Sequence, residues 1–276
     1  MPIITLTTDF GTKDHFVGAV KGSIYNELEE VRVVDISHQI TPFSITETAY
    51  ILKNAYRNFP QGTIHIVGVD SEISVENRPI AIELDGQFFI CCDNGILSMI
   101  TNEIKPSKMV EITIQHPAEN KYAILGLFIK VACHIARGGM LEVIGKQIAE
   151  IKKIFEVQPF VNAEQNQIVG SIIYIDNFGN VISNISKSMF HNTGKGREFE
   201  IIARSYKFTK IFNSYVDIVD FSVPPDKRQD DGKRLALFNS ANFLEISLYR
   251  SNLKTVGGAS SLLGLHYRDT ITVRFL

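Results

Sequence analysis

The chain has 276 residues, 45% of them hydrophobic and 21% charged, with a formal net charge of −2. That length supports one or two domains with a large core. A near-neutral balance without a basic stripe gives no electrostatic reason to expect nucleic acid or an anionic membrane as partner.

In chain order, five apolar runs close on an aspartate. They cover residues 3–9, 31–35, 64–70, 88–93 and 172–176 and end at Asp9, Asp35, Asp70, Asp93 and Asp176. β-Branched runs of that length read as buried strands, and open α/β sheets bind ligands outside the carboxyl ends of their strands. A carboxylate repeated at that rim fits a site for hydroxyls, amines or a cation. An aspartate there also caps a helix or starts a turn.

After Asp9, apolar Phe16, Val17, Val20, Ile24 and Leu28 recur at helical spacing, with Asp14 placed as the cap. Ser44-Ile45-Thr46-Glu47 has capping-box spacing and opens a second helix carrying Ile45, Ala49, Leu52 and Tyr56 on one face. Strand–helix alternation of this kind predicts a mainly parallel sheet with right-handed crossovers. Two more strands, 80–84 and 88–92, flank a hairpin-type turn at Asp85-Gly86. An apolar helix over 122–136 stops at Gly138-Gly139 and is too short to span a bilayer.

The pattern becomes mixed over 151–167. The expected domains are therefore 1–155, an α/β domain, and 166–276, an antiparallel β-barrel with strands at 168–175, 181–185, 199–203, 235–238, 244–248 and 270–275. Few helices are expected in the second half, and 227–233 reads as an exposed turn of mixed charge. The three cysteines, Cys91, Cys92 and Cys133, sit in apolar runs and read as buried reduced thiols. The N-terminus enters a strand with no basic n-region or cleavage motif, so a cytoplasmic location is expected.

Gly-x-Gly-x-x-Gly is absent after the first strand, and the phosphate-cradling Gly-x4-Gly-Lys-Ser/Thr loop is absent throughout. His-Glu-x-x-His and Gly-x-Ser-x-Gly are also missing, and the seven histidines are scattered singly. No nucleotide-phosphate cofactor and no metal is expected. Asp9, in Leu6-Thr7-Thr8-Asp9-Phe10-Gly11, can accept two hydrogen bonds from a ribose diol. Arg78 follows Asp70 across a polar loop; His134 lies on an apolar helical face and taken alone reads as a core histidine. Together Asp70, Arg78 and His134 could position and polarise a water. Asp176-Asn177-Phe178-Gly179-Asn180 reads as a tight turn with Gly179 left-handed. It also offers an aromatic face for a flat base and an amide with a donor and an acceptor for its edge.

These segments, with Lys21-Gly22, Cys92-Asp93-Asn94-Gly95-Ile96-Leu97, Ala132-Cys133-His134-Ile135-Ala136 and Asn239-Ser240 leading to Leu244-Glu245-Ile246, run in order nearly end to end. In that order the chain resembles the S-adenosyl-L-methionine (SAM) hydroxide adenosyltransferases, or SAM hydrolases, relatives of the SAM-dependent fluorinase and chlorinase. The resemblance implies an N-terminal α/β domain, a C-terminal β-barrel domain, and a homotrimer binding SAM between one subunit's first domain and a neighbour's second. It implies Asp70, Arg78 and His134 as the set that activates water, and Asp9 as the ribose carboxylate. Asn180, Ser240, Glu245 and Leu248 fall around adenine, Phe178 stacks on it, and Asp14 and Asp176 fall on the methionine side. SAM is then a substrate and no cofactor is required. Halogenases lack an aspartate at the Asp70 position, which favours a water user over a halogenase; a SAM or adenosine binder without turnover is the other alternative. The chain departs from the family at Asp70-Ser71-Glu72-Ile73-Ser74, where members carry Asp-Pro-Gly-Val-Gly. It departs again at 122–128, where members carry a charged pair.

Overall fold

A computed structural model describes residues 1–102, 104–114 and 122–276. The chain divides into two compact units, Met1–Glu156 and Val157–Leu276. The first contains strands β1 (Ile3–Thr8), β2 (Arg32–Ser37), β3 (Ile64–Gly68), β4 (Pro79–Leu84), β5 (Gln87–Cys92), β6 (Lys108–Ile112) and β7 (Gly145–Gln147). Its helices are α1 (Phe16–Glu27), α2 (Ile45–Tyr56), α3 (Ile96–Ile100), α4 (Ile129–Ala136) and α5 (Leu141–Ile144).

The seven strands lie in the order β2-β1-β3-β5-β4-β6-β7. The pairs β1–β2, β1–β3 and β3–β5 are parallel, whereas β4 pairs antiparallel with both β5 and β6. The sheet is therefore mixed: the tight Asp85-Gly86 turn reverses the chain instead of allowing a helical crossover. Successive residues face opposite layers, so Ile64 and Ile66 join the core with α1 and α4, while Val67 and Val69 join the core with α2 and α3. Both faces are covered, which is why these runs are apolar throughout. Each buried Ile or Leu contributes about 1.5–3 kcal/mol over exposure. That exceeds the spread of roughly 1 kcal/mol in strand propensity, so burial decides the fold of these segments.

Two expected caps form differently. His15, not Asp14, occupies the N-cap of α1, and no side chain bonds there. Ser44 is the N-cap of α2, but Glu47 reaches back to the Thr41 amide at 3.2 Å instead of closing a box with Ser44. The apolar helix begins as a π-helical turn, Ile124–Phe128, before continuing as α4.

The second unit contains β8 (Phe160–Val161), β9 (Gln167–Ile175), β10 (Val181–Ser186), β11 (Phe199–Ala203), β12 (Tyr206–Phe208), β13 (Ile211–Phe212), β14 (Arg234–Phe238), β15 (Phe243–Leu248) and β16 (Thr270–Phe275). They form a nearly closed, barrel-like sheet in the order β12-β11-β16-β9-β10-β15-β14-β13, with β8 on β9. The pairing is antiparallel except for β13 on β14. Its interior is one apolar cluster that includes Ile168, Ile172, Val181, Ile201, Leu244, Ile246 and Val273. Two helices interrupt the strands, α6 (Lys187–Gly194) and α7 (Ala259–Leu262). α6 lies outside the expected elements; Ser186 caps it through the Met189 amide. Within 227–233, Asp230 is buried, 2.5 Å from Lys233 Nζ, so that turn is not wholly exposed.

Candidate functional site

In the first unit the strand-end carboxylates have unlike surroundings. Asp9 follows β1, and its Oδ2 accepts from the Phe43 amide at 2.9 Å. The Gly11 amide donates to the His38 carbonyl at 2.7 Å, so the loops after β1 and β2 are fastened together at two points. Behind them runs a polar chain. Lys21 Nζ lies 2.6 Å from Asp35 Oδ2, Asp35 Oδ1 lies 3.1 Å from His38 Nε2, and His38 Nδ1 pairs with Thr8 Oγ1 at 2.7 Å. Burial works to raise the Asp35 carboxyl, but the hydrogen bonds from Lys21 and His38 hold it below the usual carboxylate range. Phe43 stands 71% exposed with φ +63°, a conformation costly for an aromatic residue. Asp14 is exposed, in the turn before α1.

Asp70 follows β3 with φ +45°. Its carbonyl accepts from Asn77 Nδ2 at 2.9 Å and from Asn94 Nδ2 at 3.2 Å. The same two amides also hold Glu72 O at 2.8 Å and Val69 O at 2.9 Å. Two side chains thus pin the main chain on either side of Asp70, and among the described residues no hydrogen bond or ion pair engages its carboxylate.

Arg78 is directed elsewhere. Its Nε lies 3.1 Å from Asp93 Oδ2, one terminal nitrogen 3.2 Å from Glu111 Oε2, and the other 3.0 Å from the Glu150 carbonyl. Asp93 is buried and also accepts from the Lys152 amide at 2.8 Å. His134, near the end of α4, pairs through Nε2 with the Met140 carbonyl at 3.1 Å. A carbonyl only accepts, so Nε2 carries the proton and Nδ1 is the acceptor nitrogen. Among the described residues, no hydrogen bond joins Asp70, Arg78 and His134 to one another. The three cysteines are free and buried; burial pushes the Cys92 thiol up to about 12 and that of Cys133 to about 11.

In the second unit a cavity of about 420 Å³ is lined by Asp176, Phe178, Asn180, Tyr215 and the segment 248–252. Asp176 organises its turn: Oδ1 accepts from the Phe178 amide at 2.9 Å and the Asn180 amide at 2.8 Å, and Oδ2 from Asn180 Nδ2 at 2.9 Å. Gly179 has φ +80°, the left-handed conformation expected of it. Asn180 is buried, whereas Phe178 is 58% exposed and offers its ring. α7 docks on this turn through Ser260, whose amide donates to Gly179 O at 2.9 Å. A Cβ on Gly258 would stand 2.5 Å from Phe178 O and 2.7 Å from Gly179 Cα, so only glycine permits that approach.

Glu245 is buried on β15, and its Oε1 accepts from Tyr215 Oη and Ser247 Oγ, each at 2.5 Å. Burial raises the Glu245 carboxyl, and burial followed by the hydrogen bond to Glu245 raises the Tyr215 phenol well above its ordinary value. Leu248 lines the cavity; Ser240 is exposed in the turn between β14 and β15 and is not among the lining residues.

The cavity therefore gathers Phe178, Asn180 and Leu248 with Asp176, and adds Tyr215 and residues 249–252, which sequence reasoning did not single out. Tyr215 had a signal: Ser214 and Asp217 flank it at capping-box spacing and form that box around a short 3-10 turn. An aromatic face, a buried amide and a hydrogen-bonded carboxylate suit a flat heterocycle with polar edges. Among the described residues, no group of three His, Cys, Asp or Glu side chains could hold a metal, and no helix is long and apolar enough to cross a membrane.

Two family models match the chain. "SAM hydroxide adenosyltransferase N-terminal domain" covers residues 4–145 and "SAM hydroxide adenosyltransferase C-terminal domain" covers residues 170–272. An (R)-S-adenosyl-L-methionine hydrolase from Methanocaldococcus jannaschii is 30% identical over 99% of this chain and 96% of its own length. A fluorinase from Nocardia brasiliensis is 25% identical over 71% of this chain and 75% of its own. A crystal structure of an uncharacterized conserved protein from Thermotoga maritima shares the fold, with a TM-score of 0.82, 24% identity, and coverage of 99% of this chain and 100% of that one.

Proposed function

This chain belongs to the SAM hydroxide adenosyltransferase family, and on that premise we propose that it hydrolyses SAM to adenosine and L-methionine. The observation that carries the reading is Asp70: a carboxylate without a partner among the described residues, at a strand end, on a main chain pinned by two amides. The full-length similarity to the archaeal hydrolase supports it.

The reaction is an in-line displacement at C5′ of the ribose. Water oxygen forms the new bond to C5′, the C5′–sulfur bond breaks, its electron pair neutralises the sulfonium, and the water's proton leaves to a base. The sulfonium needs no acid, so the difficulty lies in the nucleophile. Bulk water has a pKa of about 15.7, and positioning with preorganised electrostatics must make it hydroxide-like. Asp70 accepts the water's proton or orients it, with His134 Nδ1 as a second acceptor and Arg78 as the cation nearby in the sequence. Holding water and C5′ in line supplies a further several kcal/mol. Asp9 receives the ribose hydroxyls, and Phe178, Asn180 and Leu248 receive adenine. Glu245 and Ser240 are assigned to adenine as well, Glu245 through its hydrogen bond with Tyr215, and Asp14 and Asp176 take the methionine side. A cytoplasmic homotrimer, binding SAM between the first domain of one subunit and the second domain of the next, completes the proposal.

One observation favours a second reading, a SAM or adenosine binder without turnover: each guanidinium nitrogen of Arg78 already has an acceptor in Asp93, Glu111 or Glu150. Incubating the pure protein with SAM and separating the products by chromatography decides between them. Adenosine and methionine in equal amounts are expected; no adenosine above background with SAM still bound overturns the hydrolase.

A further inference from the structure

The Asn180 amide has a donor end and an acceptor end, and its neighbour dictates which one the cavity meets. Asp176 Oδ2 stands 2.9 Å from it, and a carboxylate can only accept, so the amide nitrogen must face Asp176. The oxygen is left as the free end. Ser251 Oγ, on the cavity wall, is 3.5 Å from that oxygen, at the limit of a hydrogen bond. The other Asp176 oxygen accepts two main-chain amides of the same turn, so the carboxylate cannot swing away without undoing the turn. Asn180 is itself buried, which excludes reorientation by bulk water. The wall beside Phe178 therefore presents an acceptor.

We propose that Asp176 is a positioning residue that locks the Asn180 amide with its oxygen free for ligand. The cavity then selects a heteroaromatic base bearing an exocyclic amine over one bearing a carbonyl in the same place. This deepens the proposed function and rests on its placement of the base at Asn180. An amine donates to Oδ1; a carbonyl sets two acceptors against each other at a buried side chain. A site built around one hydrogen-bonding sense rejects the opposite sense more strongly than an apolar pocket rejects a change of shape. Asp176 thus chooses the base without touching it.

The test is equilibrium binding of adenosine, N6,N6-dimethyladenosine and inosine to the full-length protein and to Asp176→Asn. In the variant the substituted side chain keeps an oxygen that accepts the two main-chain amides, while its new amide nitrogen faces Asn180. The Asn180 amide must flip to accept, which turns its donor end outward. The wild type is expected to bind adenosine about ten-fold or more tightly than the other two nucleosides. The variant is expected to lose that preference or reverse it toward inosine, a change of ratio that mere loosening of the turn would not produce. Wild-type binding without preference, binding of none of the three, or an Asp176→Asn variant that weakens adenosine and inosine equally overturns the proposal. The dimethyl analogue keeps the test decisive if the variant does not fold, because the wild type alone must then reject a ligand that lacks the N6 hydrogens. SAM turnover is scored separately. Nucleoside preference without adenosine formation removes the hydrolase reading and leaves this one, and turnover without preference does the reverse.

Discussion

Asn77 Nδ2 donates to the main-chain oxygen of Asp70 at 2.9 Å and closes the β3–β4 loop over itself. Ser71-Glu72-Ile73-Ser74 follows this aspartate without a proline or glycine, and side-chain amides supply the rigidity. The left-handed backbone at Asp70 (φ +45°) is thereby sustained at a cost of about 1 kcal/mol or more.

Asp70→Gly separates conformation from chemistry. Relief of the left-handed strain, about 1 kcal/mol, offsets the unfolded-state entropy of glycine, about 0.5–1 kcal/mol. The thermal midpoint is expected to stay within a few degrees of wild type, while adenosine formation from SAM falls to background. A variant that retains turnover removes Asp70 from the mechanism.

Gly258→Ala drives a methyl group into the main chain of Phe178 and Gly179. Both obstacles are backbone, so the turn has to shift, at about 1–3 kcal/mol. Adenosine affinity is expected to fall by about ten-fold or more, because about 1.4 kcal/mol corresponds to ten-fold. Titration with adenosine checks this; unchanged affinity would mean that the cavity is not the base site.

His65 predicts an acid-side loss of stability. It is buried against Phe89, with ring centroids 4.6 Å apart, and is paired with Thr5 and Gln87. Burial lowers its pKa to about 4, only partly opposed by the Gln87 hydrogen bond. The unfolded histidine titrates near 6.5, so the folded state refuses a proton that the unfolded state takes up. The stabilisation is complete above about pH 6.5 and declines as pH falls toward about 4, at up to roughly 1.4 kcal/mol per pH unit. Urea midpoints at pH 7.5 and 5.0 should differ accordingly, and His65→Gln should shrink the difference while lowering both midpoints.

Glu245→Gln is expected to stabilise the second unit at neutral pH. The folded carboxyl titrates above its unfolded value, so ionisation favours unfolding as pH rises through the folded pKa. A glutamine oxygen still accepts from Tyr215 and Ser247 without a buried charge. The thermal midpoint should rise at pH 7 and match wild type near pH 4; a drop at pH 7 would mean that the charge itself is needed.

Strands, buried faces and the Asp176–Asn180 turn were legible because each rests on local pattern: apolar runs, a glycine able to take positive φ, an aspartate two residues before an amide. What was not legible depends on distant pairing. Arg78 meets Asp93, Glu111 and Glu150, which are 15, 33 and 72 residues away, and nothing in its own neighbourhood announces them. Asp14 and Glu47 had cap spacing, but the Thr41 amide competed successfully for Glu47. α6 escaped notice because two turns with apolar Met189 and Phe190 give too short a period to register. The sense of the Asn180 amide was open from sequence, since only a neighbouring acceptor could settle it.

The two fastenings between the loops after β1 and β2, Phe43 to Asp9 and Gly11 to His38, have a kinetic consequence. On the proposed assignment of the ribose to Asp9, the sugar meets a cup already assembled, and little ordering entropy is lost on encounter. On that same proposal, association at this rim is expected to proceed without loop closure, with differences among ligands falling on how fast they leave.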